Sequence, residues 1–453
     1  MKQPLDTNLV RGIKRWDLVA IAINGIIGAG IFGLPSKVFA LIGPYSLLAF
    51  FACALVASLI ILCFAEVGSR FTGTGGPYLY ARAAFGPIMG FEVGWLMWLA
   101  RLTAFAANCN LLVEYLGYFW PAAVAGWPRT MLITVIVSGL TIINVVGVRD
   151  AALFSDVFTA GKLLVLALFI GTGLFFLAPE NFATSAPPAL PAFSQSVMLL
   201  VYAFTGFEMA MIPAGEVRDP QRNLPFALLT SLVVVSLTYV LIQLVCIGTL
   251  PELAASKRPL ADAGERFLGA LGARVITAGA VISIIGNLSV LILAAARLPF
   301  AMAGNRELPY AFARTHERFR TPHAAIWVTG LAMLALTLSG TFIYGVTIST
   351  IARLLAYIVT CVGMLLLRRR AAEFPARFHT PFGVIVSVAA LALIVWLLAH
   401  STAREARDAT IAAAAGLLIY GAYKLFKPSA DQDPAEDSPS TGITDSPPTT
   451  KIL

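Results

Sequence analysis

The chain is 453 residues long, 58% hydrophobic and only 12% charged, with a formal net charge of +8. Soluble domains are about a quarter charged, so this composition excludes one and describes an integral membrane protein. The positive balance does not imply nucleic acid, because Lys and Arg fall mostly in short loops between apolar runs, where they set topology.

Residues 1–17 form a polar lead with Lys2, Arg11, Lys14 and Arg15, expected to be cytoplasmic, and Trp16 is placed as an interface anchor. Twelve apolar runs follow; about 20 apolar residues cross a hydrocarbon core of about 30 Å as a helix. The first run, at about 18–40, has no small-residue cleavage site and is followed by eleven others, which argues against a signal peptide. It contains Asn24 to Leu34, NGIIGAGIFGL. Each glycine in a helix interior is about 1 kcal/mol less favourable than alanine, so Gly25, Gly28, Gly30 and Gly33 invite the backbone out of helical geometry. Bare backbone groups are ruinous in lipid, so a break at this depth must be buried in protein or line a wet cavity. The competing reading is a stripe for close helix packing.

Span two ends near 66–70, and SRFTGTGGPYLYARAAFGP then reads as a loop and a short interfacial helix. Spans three, four and five fall at about 89–116, 130–148 and 153–177, and the Pro-rich APENFATSAPPALP closes the first half. Spans six to twelve fall at about 194–215, 224–250, 274–303, 324–339, 346–367, 383–399 and 409–426. Arg306, Arg314, Arg318, Arg320 and the run Arg368-Arg369-Arg370 lie on the side that this threading makes cytoplasmic. Residues 428–453 are polar and Pro-rich, expected to be a disordered cytoplasmic tail.

Span six carries a second interruption, Tyr202-Ala203-Phe204-Thr205-Gly206-Phe207-Glu208. It opens a second block of five spans as the Gly-rich run opens the first, and an odd number of spans inverts the second block. Interrupted spans at matching positions of inverted halves point to a secondary transporter's binding site. Free N–H groups at a half-helix start favour an anion and free carbonyls at a half-helix end favour a cation, so two breaks together suit a zwitterion. The expected N–H donors are those of Ala29, Gly30 and Ile31; the expected carbonyl acceptors are Ile26, Tyr202, Ala203 and Thr205. Phe204 is placed to close over the ligand as a gate, or to pack ordinarily.

Few charges lie at membrane depth. Lys162 sits about 12 Å into span five, and should face protein or else snorkel to the interface. Glu208 is a gate or second proton site, or simply neutralises Arg101 in span three. Arg101, Phe105 and Asn108 are candidates for a side-chain pocket, and an unpaired Arg101 there would repel cationic side chains. Arg297 and Arg353 read as structural ion pairs or interface charges. The four histidines lie in loops or at span ends and the five cysteines lack metal-ligand spacing, so no metal, cofactor or disulfide framework is expected.

GIIGAGIFGLP, AEVGSRFTGTGGPYLYARAAFG and YAFTGFEMAMIPAGEVRDPQRNLPFAL together resemble the amino acid-polyamine-organocation superfamily of permeases, over about residues 14–370. The resemblance implies an all-α membrane protein with the leucine-transporter fold: discontinuous helices 1 and 6 and a five-plus-five inverted repeat. On that plan 18–180 and 181–370 are the two repeats and 371–427 holds two added helices. It also implies that Lys162 replaces a bound sodium ion against the unwound part of span one, as in proton-coupled relatives. The function expected is proton-coupled symport of a neutral L-amino acid; an amine or polyamine antiporter and a nontransporting sensor stay open. No selectivity filter, HExxH or Gly-x-Ser-x-Gly supports a channel or an enzyme.

Overall fold

The computed structural model describes residues 12–425, apart from positions 74, 147–150, 184–185, 213 and 320. The expected disordered tail therefore lies outside the described residues. All the regular structure among them is helical. In order come α1 (Arg15–Ile26), α2 (Gly30–Ile42), α3 (Ser46–Gly68), α4 (Pro77–Phe85), α5 (Pro87–Leu116), α6 (Gly126–Val146) and α7 (Ala151–Gly173). Then follow α8 (Leu190–Phe204), α9 (Pro220–Thr249), α10 (Pro259–Gly304), α11 (His323–Ser339), α12 (Phe342–Arg369), α13 (Gly383–Ala399) and α14 (Ala403–Leu425).

Backbone chemistry sets several of these bounds. Helices α4, α5, α9 and α10 open with proline, whose missing N–H would have had no intrahelical partner there anyway. Among the described residues, seven helical stretches are long and apolar enough to cross a membrane, or eight if α13 and α14 are one span bent by 116°. Helix α10 starts well before the expected residue 274, because a short helical segment from Pro259 joins the main span across a kink at Gly269 (φ 63°, ψ −161°). The segment read as an interfacial helix is α4, and one face of it is buried: Tyr78 donates to Glu307 Oε2 at 2.7 Å and Arg82 pairs with Glu307 at 3.1 Å.

Helices α5, α10 and α12 form the centre with α1, α2 and α8 against them. Two devices lock the end of the bundle where the chain enters α1. Ile13 forms an isolated parallel bridge to Val217, its N–H donating to Glu216 O at 3.1 Å and its carbonyl accepting from Arg218 N at 2.9 Å. Nearby, Glu66 is wholly buried and accepts from Arg70 at 2.7 Å, from Arg368 at 2.5 Å and from Thr380 N at 2.8 Å. Buried carboxylates persist only when paired in this way.

The closest backbone approach sits midway along the bundle. Gly206 has φ 104°, and a Cβ there would lie 2.2 Å from Gly25 O; a Cβ on Gly25 would lie 2.6 Å from Gly206 O. No side chain fits either place. Gly206→Ala is accordingly expected to destabilise the protein by about 2 kcal/mol or more, combining left-handed strain with overpacking. Gly161→Ala on α7, with nothing within 4 Å, should be neutral or stabilising by up to about 1 kcal/mol. Thermal melting of the two purified variants checks the contrast.

Candidate functional site

Both interrupted spans are broken. Helix α1 ends at Ile26, Ile27 leaves helical geometry at φ −75° and ψ 83°, and α2 begins at Gly30. The N–H groups of Ala29, Gly30 and Ile31 have no hydrogen-bond acceptor among the described residues. Helix α8 ends at Phe204, Thr205 is extended, and Gly206 turns the chain into a 3₁₀ segment, Phe207–Met211. Gly30 packs on Ala203, where a Cβ would lie 2.9 Å from the Ala203 Cα, so the start of α2 rests on the end of α8.

The carbonyls freed by these breaks are answered from neighbouring helices. Tyr239 of α9, fully buried, places one hydroxyl 3.2 Å from Ile26 O and 3.1 Å from Ala203 O, so a single proton is shared between the two half-helix ends. Tyr202 O accepts from Thr205 N at 3.3 Å and Thr205 Oγ1 at 2.7 Å. Lys162 is 1% exposed. Its Nζ donates to Asn24 Oδ1 at 2.5 Å and to Ile27 O at 2.8 Å, so it buries a cation against the negative end of α1 rather than snorkelling to an interface.

A chain of side chains runs behind the breaks. Tyr202 Oη donates to Asn108 Oδ1 at 2.5 Å, Asn108 Nδ2 to Asn287 Oδ1 at 2.7 Å, and Asn287 Nδ2 to Asn24 O at 3.5 Å. With Lys162 on Asn24, this joins α8, α5, α10, α1 and α7 in one network. Phe105, on the same face of α5, is buried, and Phe204 is buried edge-on against Tyr239 at 5.2 Å.

Glu208 does not neutralise Arg101, as the sequence allowed. Its counter-charge is Arg353 of α12, whose Nε lies 3.4 Å from Glu208 Oε1 while Nη1 donates to Thr205. Gly206 N at 2.9 Å and Tyr357 Oη at 3.1 Å both donate to Glu208 Oε2. The reason is geometric: α12 crosses the break in span six directly, so Arg353 reaches both Thr205 and Glu208. Arg353 is thus the structural ion pair expected of it.

Four more residues belong to this centre than the sequence argument named: Asn24, Tyr239, Asn287 and Tyr357. Asn24 and Asn287 carried a usable signal, being amides inside apolar runs. The tyrosines did not, since an aromatic in mid-span packs by default. Among the described residues no group of three or more His, Cys, Asp and Glu side chains lies together to hold a metal ion. At the end of the bundle opposite the Ile13–Val217 bridge, a cavity of about 840 Å³ is lined by charged side chains including Glu114, Glu252, Arg258, Asp262 and Arg266.

A family model described as "Amino acid permease" matches residues 13–420. The chain is 27% identical to a methylthioribose transporter of Bacillus subtilis over 449 residues, covering 93% of this chain and 97% of that one. It is 25% identical to a branched-chain amino acid permease of the same organism over 424 residues, covering 87% and 88%. It is 26% identical to a serine/threonine exchanger, also of Bacillus subtilis, over 444 residues, covering 94% and 99%.

Breaking one half of the buried ion pair should be worse than removing both. Arg353→Leu is expected to destabilise by about 3–5 kcal/mol, because Glu208 is left without its cation, and adding Glu208→Gln should recover much of that loss. A double-mutant cycle of thermal melts tests the coupling.

Proposed function

This chain belongs to the amino acid permease family, and on that premise we propose that it is a secondary active transporter of amino acids working by alternating access. The observation that carries the reading is the pair of backbone breaks, in register and in contact, with unclaimed N–H groups on one side and shared carbonyls on the other. An amino acid's carboxylate is held by the N–H groups of Ala29, Gly30 and Ile31, where the start of α2 presents partial positive charge. Its ammonium takes the carbonyls of Ile26 and Ala203, between which Tyr239 already shares one proton. Its side chain projects toward α5, past Phe105 and Asn108. Arg101, on the same helix and with no ion pair among the described residues, disfavours cationic side chains, and the amino acids for which the branched-chain and serine/threonine relatives are named carry none.

Twelve passes account for the helices if α1 with α2, and α8 with the turn after it, each count as one span; α4 is a short helix between passes. The first ten form the two inverted repeats, and the Arg-rich loops place both termini in the cytoplasm of a multi-pass cell-membrane protein. The Ile13–Val217 bridge then closes the cytoplasmic end, and the 840 Å³ cavity is the external vestibule.

Lys162 is the proton carrier in this reading, and transport is symport. Protonated, it caps α1 through Asn24 and Ile27; neutral, it offers that helix end no charge, and α1 is freer to tilt from α7. Glu208, held in its ion pair, acts as a gate. A second reading, exchange of one amino acid for another, is favoured by the serine/threonine exchanger among the relatives.

A ligand at about 100 times its dissociation constant adds about 2.7 kcal/mol of stability, so a panel of amino acids and amines should raise the melting temperature for at least one L-amino acid without a cationic side chain. In proteoliposomes, uptake of that compound should be driven by an inward proton gradient, and Lys162→Ala should abolish the pH dependence. Undiminished pH-dependent uptake in that variant would remove Lys162 from the role; counterflow indifferent to pH would favour exchange.

A further inference from the structure

Arg101 of α5 is 1% exposed, and its Nε and Nη1 are buried without a hydrogen-bond partner among the described residues. Its charge lies within electrostatic reach of Glu208, Arg353 and Tyr357, beside the break in span six. Glu208 is already committed: Oε2 accepts two hydrogen bonds and Oε1 faces Arg353. Lys162 is satisfied by oxygen atoms of Asn24 and Ile27. The remaining buried acids are engaged or face elsewhere. Glu66 holds Arg70 and Arg368, and Glu307 holds Arg82 and Tyr78. Glu92 sits nine positions earlier on α5, half a turn round by helical periodicity and about 14 Å away along the axis, and it faces Gly416 of α14.

Two guanidinium groups therefore lie near a single carboxylate, Glu208, which is paired with Arg353 and makes no hydrogen bond or ion pair to Arg101 among the described residues. A cation left uncompensated at this depth is expensive, and guanidinium groups in protein interiors are found with carboxylates, phosphates or other anions. Arg101 also lies on the face of α5 that carries Phe105 and Asn108, the latter bonded to Tyr202 at the break. The missing charge thus belongs where the transported molecule sits.

We propose that Arg101 is the docking cation for a monovalent anion admitted to the transport site. The anion is a carboxylate on the side chain of the substrate, or a small inorganic ion such as chloride that enters with a neutral amino acid. This rests on the amino acid transport reading above and adds to it the charge class of what the site accepts.

The test uses the full-length protein purified with sulfate as the only anion, wild type beside Arg101→Gln and Arg101→Lys. Melting temperature is followed while aspartate, glutamate, alanine or leucine is titrated, each with and without chloride, and while chloride is titrated alone. Preferential stabilisation by aspartate or glutamate identifies the substrate's own carboxylate; stabilisation by alanine or leucine only when chloride is present identifies the inorganic ion. In either case Arg101→Gln should weaken the effect at least tenfold, and Arg101→Lys should keep part of it. Without ligand, Arg101→Gln should melt no lower than wild type, since the charge it removes has no partner. A markedly lower melting point for ligand-free Arg101→Gln, with Arg101→Lys as stable as wild type, would show that the protein itself supplies the partner and overturn the proposal. So would amino acid stabilisation indifferent both to chloride and to Arg101→Gln, which leaves transport standing. Chloride stabilisation lost in Arg101→Gln, with no response to any amino acid, supports the anion site and counts against amino acid transport.

Discussion

A helix interrupted inside a hydrophobic bundle leaves polar backbone that lipid cannot satisfy, and most of this molecule's unusual residues are answers to that one constraint. The breaks at Ile27–Ala29 and Thr205–Gly206 expose carbonyls and N–H groups at the same depth. The carbonyls are met from three directions: Tyr239 from α9, Lys162 from α7 and Asn287 from α10. The N–H groups of Ala29, Gly30 and Ile31 meet no acceptor among the described residues. In the proposed amino acid reading this asymmetry turns a local defect into a binding site: the ligand's ammonium would compete with existing bonds, while its carboxylate would find donors waiting.

The electrostatics follow the same division. Where a charge serves the architecture, as at Glu66 or Glu307, it is multiply bonded and buried near an end of the bundle. Near the breaks the balance is looser. Lys162 leans on neutral oxygens, and Arg353 and Glu208 approach no closer than 3.4 Å at Nε and Oε1. In a low-dielectric interior such arrangements respond strongly to an added or removed charge, which suits the proposed role of loading and unloading a zwitterion.

Much of the plan could be read from residues alone. Glycine is a poor helix former everywhere, so four of them in eleven apolar residues announced the first break without reference to any neighbour. Thr205-Gly206 announced the second for the same local reason. Lys162 was conspicuous because a cation in an apolar run needs an explanation, and it does reach the break. What stayed hidden was everything decided by packing between distant segments. Nothing near Glu208 in sequence names Arg353, which lies on α12 and is brought in by the way that helix crosses span six. Tyr239 looks like any aromatic in a hydrophobic helix until α9 is set beside both α1 and α8. The bend at Gly269 was missed because three glycines in AGERFLGALGA, beside Glu265 and Arg266, make the segment before Arg274 read as a loop.

The small bridge between Ile13 and Val217 has a mechanical consequence. It joins the strand of chain entering the first interrupted span to the one leaving the second, so the two are yoked at their base. Arg15 extends the coupling through Asn223 and the Phe226 ring. Any swing of α1 away from the bundle must drag the start of α9 with it or first unzip that yoke. The two interrupted spans are thus geared together at a point far from their breaks, and the gearing is done by main-chain atoms that few substitutions can alter.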